Sequence, residues 1–345
     1  MAYTTIPKSS DYFNTKLYTG NGSTNNITGI GFQPDWVWTK CRSTVNSHRV
    51  IDAVRGVTKA IVTNSPNAEF TETNGLSAFG SDGYTLNGNL ASMNTNNDTY
   101  ASWNWKANGA GSANTAGSIN STVSANTTSG FSIVKYTGTG ADMTVGHGLN
   151  AVPKMIIVKA LDTGTDPWWV YHASLGNSAK LRLNETDASS TTADYIWNQT
   201  TPTSSVFSLD GANNGSNANG NNFIAYCFAD VQGFSKMGSY TGNGNDNGSF
   251  IYTGFKPAFV MFKNTAAAGD WTIQDSARDT FNLADARLYA NLSNAENDGT
   301  LGVDFLSNGI KIRTSSAGWN TSAQTYIYMA FAEQPLVGDN PATAR

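Results

Sequence analysis

Hydrophobic and polar positions alternate in short runs along the chain, and the runs return in the same order. Leu17-Tyr18-Thr19 leads through Gly20-Asn21-Gly22 to Phe32-Gln33-Pro34-Asp35-Trp36-Val37-Trp38-Thr39-Lys40. Tyr136-Thr137-Gly138 leads to Pro153, Met155-Ile156-Ile157-Val158 and Lys159. Tyr240-Thr241-Gly242 leads to Pro257, Phe259-Val260-Met261-Phe262 and Lys263. From Tyr to Pro the spacing is 16, 17 and 17 residues (34−18, 153−136, 257−240), and from Pro to Lys it is six each time (40−34, 159−153, 263−257). Each copy closes on an aromatic run: Tyr100 to Trp105, Phe223 to Phe228, and Tyr326 to Phe331. Three matched copies of one unit follow.

A period of two marks strands, and frequent Gly, Asn and Ser between them marks turns. The pattern predicts an all-β chain of three tandem antiparallel β-sandwich domains. Expected boundaries are an N-terminal arm over 1–15, repeats over 16–107, 130–232 and 233–335, a Gly/Ser/Asn-rich linker over 108–129, and a tail over 336–345. The linker has almost no large apolar residue and is read as flexible, with Ile119 and Val123 able to pack part of it as an edge strand. In the closing strands, Ala101, Trp103 and Trp105, then Ile224, Tyr226 and Phe228, then Ile327, Met329 and Phe331, share an inward face. They read as core rather than as a ligand box.

Composition narrows the picture. Charged residues make up 13% and the net charge is −4, so no basic stripe invites nucleic acid. Cys41 and Cys227 lie in different repeats and read as buried thiols, with neither disulfide nor zinc spacing. No export signal and no membrane-length apolar run are seen.

Candidate chemistry is sparse. His48, His147 and His172 lack a nucleophile elbow around any Ser. The acid pairs Glu69 with Glu72, Glu185 with Asp187, and Asp275 with Asp279 recur at no common repeat position, as glycosidase carboxylates in each copy would. Asn243 to Asn247 and Asp210 to Asn214 offer oxygens, yet match no EF-hand and read as turns. No catalytic residue, cofactor or metal is expected. The candidate surface-contact aromatics are Trp168, Trp169, Tyr171 and Trp271. Neighbours Trp168 and Trp169 point to opposite strand faces, so at most one belongs to a two-layer core, and the other is free for a protein or sugar contact.

Several segments carry a resemblance: Asp11 to Gly22, Gly31 to Trp38, Val54-Arg55-Gly56, Trp103 to Ala107, Gly146 to Leu149, Tyr171 to Gly176, Gly254 to Val260, and Tyr328 to Glu333. Together they resemble a family of marine bacteriophage structural proteins, tail- or appendage-associated, with tandem β-sandwich repeats. In outline the repeats are similar to jelly rolls of the concanavalin or SPRY kind. The resemblance implies a non-enzymatic virion protein, made in the host cytoplasm and released by lysis. It would be a tail fibre, appendage or capsid-displayed protein aiding host-cell attachment through exposed loops. Other virion proteins, copies of itself (a homo-oligomer such as a trimer) and a host surface glycan or protein are the implied partners, without nucleic acid or membrane insertion. A purely architectural capsid decoration or tail-joining protein, a glycan-degrading appendage enzyme and a cellular lectin-like binder are the alternatives.

Overall fold

The computed structural model describes residues 3–192, 196–211, 214–337 and 341–342. Among the described residues almost all regular structure is antiparallel strand, and helix is confined to the single turns Ser9–Asp11 and Asn214–Asn217. Each repeat builds the same four-stranded sheet. In the first, the order is Phe13–Thr19, Thr99–Trp105, Trp36–Cys41, Arg49–Asp52. In the second it is Phe131–Thr137, Asn222–Phe228, Met155–Ala160, Trp169–His172, and in the third Ser235–Thr241, Thr325–Pro335, Phe255–Asn264, Thr272–Asp275. Registers agree as well: Trp36 opposes Trp105, Met155 opposes Phe228, and Phe259 opposes Phe331. Pro257 sits inside its strand at a register shift, where a residue without an N–H is tolerated.

A smaller sheet lies outside each large one. These are Asn25–Thr28 with Gly83–Leu86 and Leu76–Gly80, then Met143–Gly146 with Val206–Leu209, then Phe250–Tyr252 with Gly309–Ile312 and Val303–Leu306. Between small and large sheets lie three outer clusters, one per repeat, built around Tyr84 and Leu86, Phe207 and Leu209, and Phe305 and Ile310.

The opposite faces of the three large sheets meet in one shared cluster. Trp36, Trp38, Trp103 and Trp105 of the first repeat join Phe131, Met155, Tyr226 and Phe228 of the second, with Phe259, Met261, Met329 and Phe331 of the third. Ring centroids bridge the repeats: Trp36 lies 4.6 Å from Tyr226, and Trp105 lies 5.8 Å from Phe259. All nine inward residues expected from the closing strands belong to this cluster. Each repeat keeps its own outer cluster, and the repeats also surround a common one, which the sequence reading did not anticipate. Being covered on both faces explains why Trp36–Cys41 and Met155–Ala160 are buried at every position.

Two segments differ from their sequence reading. Within the expected linker, Val123 packs in a strand as expected, Ser121–Asn126, buried against the outer cluster, but Ser112–Asn114 pairs beyond it and the two extend the second sheet instead of forming a flexible connection. Backbone pairing holds them where apolar content is low. The described part of the N-terminal arm is anchored: Ile6 is fully buried in the shared core, and the Tyr3 hydroxyl donates to the Gly254 carbonyl at 2.7 Å. In the tail, Ala342 N–H donates to Pro335 O at 2.8 Å, while 338–340 and 343–345 lie outside the described residues.

Candidate functional site

The Tyr-Thr-Gly signature is a lock at one end of each repeat. Tyr18, Tyr136 and Tyr240 donate their hydroxyls to the carbonyls of Met93, Ser216 and Trp319 at 2.8, 2.8 and 2.6 Å. The next residue in each case is Asn94, Asn217 or Asn320, whose side-chain oxygen accepts the N–H of Asn21, Thr139 or Asn243. Each Tyr stacks on the first aromatic of its closing strand, at 5.2 Å on Tyr100, 5.2 Å on Phe223 and 5.1 Å on Tyr326. A Cβ at Gly20, Gly138 or Gly242 would collide with the carbonyl oxygens of Thr95, Ala218 or Thr321, so only glycine fits there.

In the second and third copies the repeated Lys fastens a seam between repeats. Lys40, Lys159 and Lys263 are wholly buried, and burial brings each down to about 8. Lys159 Nζ donates to Pro66 O of the first repeat (2.9 Å) and Asp166 O (3.0 Å), and Lys263 Nζ to Thr186 O of the second (2.8 Å) and to Gly269 O. Lys40 instead bonds Cys41 O at 2.7 Å. Before the outer strand of each large sheet stands His48, Trp168 or Trp271. Their ring nitrogens reach the neighbouring repeat's Tyr289 O at 2.9 Å, Val62 O at 2.9 Å and Arg182 O at 2.9 Å. The main-chain N–H of each is held by Asn64, Asn184 or Asn291. The ring of three repeats is closed by the contact of the third with the first.

Charge gathers on two seams. Asp52 accepts from Arg55 Nε (2.5 Å) and from Tyr226 of the next repeat (2.7 Å). Asp275 accepts from Arg278 Nε (2.6 Å) and from Trp103 Nε1 (3.0 Å). Burial works against the Arg55 charge, but Asp52, Tyr226 and Glu69 outweigh it and its pKa rises. Glu296 accepts from both Arg42 and Arg278 and is held below the usual carboxylate range despite burial. On the third seam, His172 and Leu175 stand where the others have Asp and Arg.

All three histidines serve the framework. His48 Nδ1 accepts from Trp38 Nε1 at 2.8 Å, and burial with nearby Lys40 lowers it to about 3. His172 donates to Tyr328 O at 3.3 Å, accepts from Ser174 N, and is lowered by burial to about 4. His147 donates to Thr203 O at 3.1 Å and is also lowered by burial. Among the acid pairs, Glu69 is bound to Arg55, Asp187 to Arg182, Asp275 to Arg278, and Asp279 to the N–H of Ala286. Asn243, Asn245 and Asp246 spend side-chain oxygens on turn N–H groups. Of the Asp210 to Asn214 run, Ala212 and Asn213 lie outside the described residues. Among the described residues no cluster of three or more His, Cys, Asp or Glu is placed to hold a metal ion. Cys41 and Cys227 are buried free thiols.

Of the four expected surface aromatics, three are buried. Trp168 and Trp271 are seam residues, and Tyr171 packs edge-on to Trp197 in the outer cluster. Trp169 is half-buried beside a cleft of about 350 Å3, with Lys180 Nζ 5.6 Å from its ring. Among the described residues the exposed aromatics are elsewhere: Phe250 (47%), Tyr252 (50%) and Phe281 (80%), all in the third repeat. Sequence reasoning followed the tryptophans and missed them. Repeat alignment could have found them, since Phe250 and Tyr252 stand where the first repeat has Asn26 and Thr28 and the second Thr144 and Gly146.

None of the curated proteins matches this sequence. The family model described as a domain of unknown function, DUF7483, matches residues 8–335, which takes in all three repeats. The chain belongs to the DUF7483 family.

Proposed function

We propose that this chain is a bacteriophage virion structural protein, a tail fibre, appendage or capsid-displayed protein that contributes to host-cell attachment. The observation that carries the reading is where the chemistry lies. Histidines, repeated lysines and most arginine–carboxylate pairs are consumed by seams and turns, while Asn/Gly-rich loops and a few aromatics face outward. Such a body presents surfaces rather than transforming molecules. In this reading each repeat is a jelly-roll sandwich, a large and a small sheet around its outer cluster, and the three are fused over the shared core. Copies of the chain on one particle multiply weak contacts by avidity.

The test is competition. Purified protein should slow adsorption of the particle that carries it to host cells, and antibody against it should label intact particles. Unchanged adsorption with no labelling would overturn the proposal. The architectural reading is favoured by one feature, Phe281, which stands 80% exposed and suits a contact with a neighbouring virion protein. Labelling without competition selects that reading. Release of reducing ends from host polysaccharide would select the glycan-degrading one.

A further inference from the structure

The three repeats serve as internal controls for one another. The strand Phe250–Tyr252 pairs with Gly309–Ile312 as Asn25–Thr28 pairs with Gly83–Leu86. In both, the middle apolar residue, Ile251 or Ile27, is buried in the outer cluster. Its flanking neighbours point away from that cluster. Those outward positions hold Asn26 and Thr28 in the first repeat, and Thr144 and Gly146 in the second. The frame therefore has no need of aromatics there, yet the third repeat places two half-exposed rings.

Tyr252 lines a cleft of about 420 Å3 together with Tyr3, Asp230, Gln232 and Lys236. A second cleft of about 530 Å3 adjoins it and shares Tyr3, Asp230 and Gln232. Both volumes lie in the range of small-ligand sites. The arm fixes the floor: Tyr3 donates to Gly254 O at 2.7 Å, and a Cβ at Gly254 would come within 2.8 Å of that hydroxyl. Lys236 Nζ donates to Tyr252 O at 2.9 Å and sits 5.4 Å from its ring centroid. Asp230 accepts the Met237 N–H at 2.8 Å through one oxygen, and both Asp230 and Gln232 are exposed. One carboxylate, one ammonium, one amide and two phenols give a cleft with cancelling charge, rich in hydrogen-bonding groups beside aromatic faces.

We infer that this cleft binds a neutral saccharide. The apolar C–H face of a pyranose packs on an aromatic ring, and its hydroxyls bond planar carboxylate and amide groups. Balanced charge disfavours a strongly anionic ligand. This inference rests on the attachment reading and names the class of surface molecule recognised.

The test is saturation-transfer NMR on the whole chain with glucose, galactose, mannose and N-acetylglucosamine as probes. At least one should receive saturation. The double variant Phe250→Asn/Tyr252→Thr carries the residues the first repeat already uses, so it should fold like the parent by circular dichroism. It should bind several-fold to about tenfold more weakly, the scale of losing the stack on Tyr252, the one of the two rings that lines the cleft. Absence of saturation of all four sugars by the parent, or undiminished binding by the folded double variant, would overturn the inference. Running the adsorption competition with the same variant keeps the two proposals apart. A parent that competes but binds no sugar sinks the saccharide site and leaves attachment standing.

Discussion

Replacing Asp52 with asparagine removes a charge from the seam between the first and second repeats. Its carboxylate takes four donors: Arg55 Nε at 2.5 Å, Tyr226 Oη at 2.7 Å, and the main-chain N–H groups of Val54 and Arg55 at 3.1 and 2.9 Å. Arg55 has no exposed side-chain surface, so the variant leaves a buried guanidinium with Glu69, at 3.2 Å, as its remaining carboxylate. Breaking a buried pair this way costs about 3–5 kcal/mol. With a urea slope of roughly 3 kcal/mol/M, the midpoint should fall by about 1–1.7 M, followed by tryptophan fluorescence. The third seam shows that the frame does not require the charges. His172, Leu175 and Met329 occupy the positions of Asp52, Arg55 and Tyr226. The triple variant Asp52→His/Arg55→Leu/Tyr226→Met should therefore regain most of the loss and stand within about 2 kcal/mol of the parent. A single variant that loses under about 1 kcal/mol, or a triple variant weaker than the single, would refute this account of the seams.

Other expectations follow from the same contacts. Ile6→Ala empties a fully buried position in the shared core and should cost about 2–5 kcal/mol in thermal unfolding; an unchanged melt would show that the arm does not seal it. Gly242→Ala forces a methyl onto Thr321 O and should cost about 1–3 kcal/mol, read from the same melt. Alkaline pH should act in two directions. Lys40, Lys159 and Lys263 drop from 10.5 to about 8 on folding, so above pH 8 the unfolded chain holds more protons and stability rises with pH. Burial holds Tyr18, Tyr136, Tyr226 and Tyr240 well above their ordinary 10.0, so above pH 10 the unfolded chain loses protons first and stability falls. The urea midpoint should peak near pH 10, and a monotonic fall from pH 8 would contradict the lysine assignment. Toward acid, His48 and His172 ionise only when unfolded until about 3 and 4, so stability should drop below pH 6.5.

The repeat, its strands and the inward aromatics were legible because spacing and a period of two survive in all three copies. The shared core was not, since alternation tells which residues share a face but not what that face meets. One clue was present. Trp36-Val37-Trp38 and Met155-Ile156-Ile157-Val158 are apolar on both faces, as strands covered on both sides must be. The recurring Lys was legible as a repeat marker, but the seam contacts of Lys159 and Lys263 were not, because nothing local announces that a neighbouring repeat supplies a carbonyl acceptor. Trp168 and Trp271 misled for the same reason: their indole N–H partners, Val62 O and Arg182 O, are 106 and 89 residues away in sequence. Within 108–129 the strand around Val123 was legible from its apolar side chain, whereas Ser112–Asn114 was not, because main-chain pairing rather than apolar side chains places it.

Scanning calorimetry tests most directly whether the three repeats are one body. A single core spanning 345 residues should melt in one transition near roughly 240 kcal/mol, at about 0.7 kcal/mol per residue, with calorimetric and van't Hoff enthalpies equal. Resolved transitions, or a calorimetric enthalpy about three times the van't Hoff value, would mean that each repeat melts alone and that the aromatic centre does not join them.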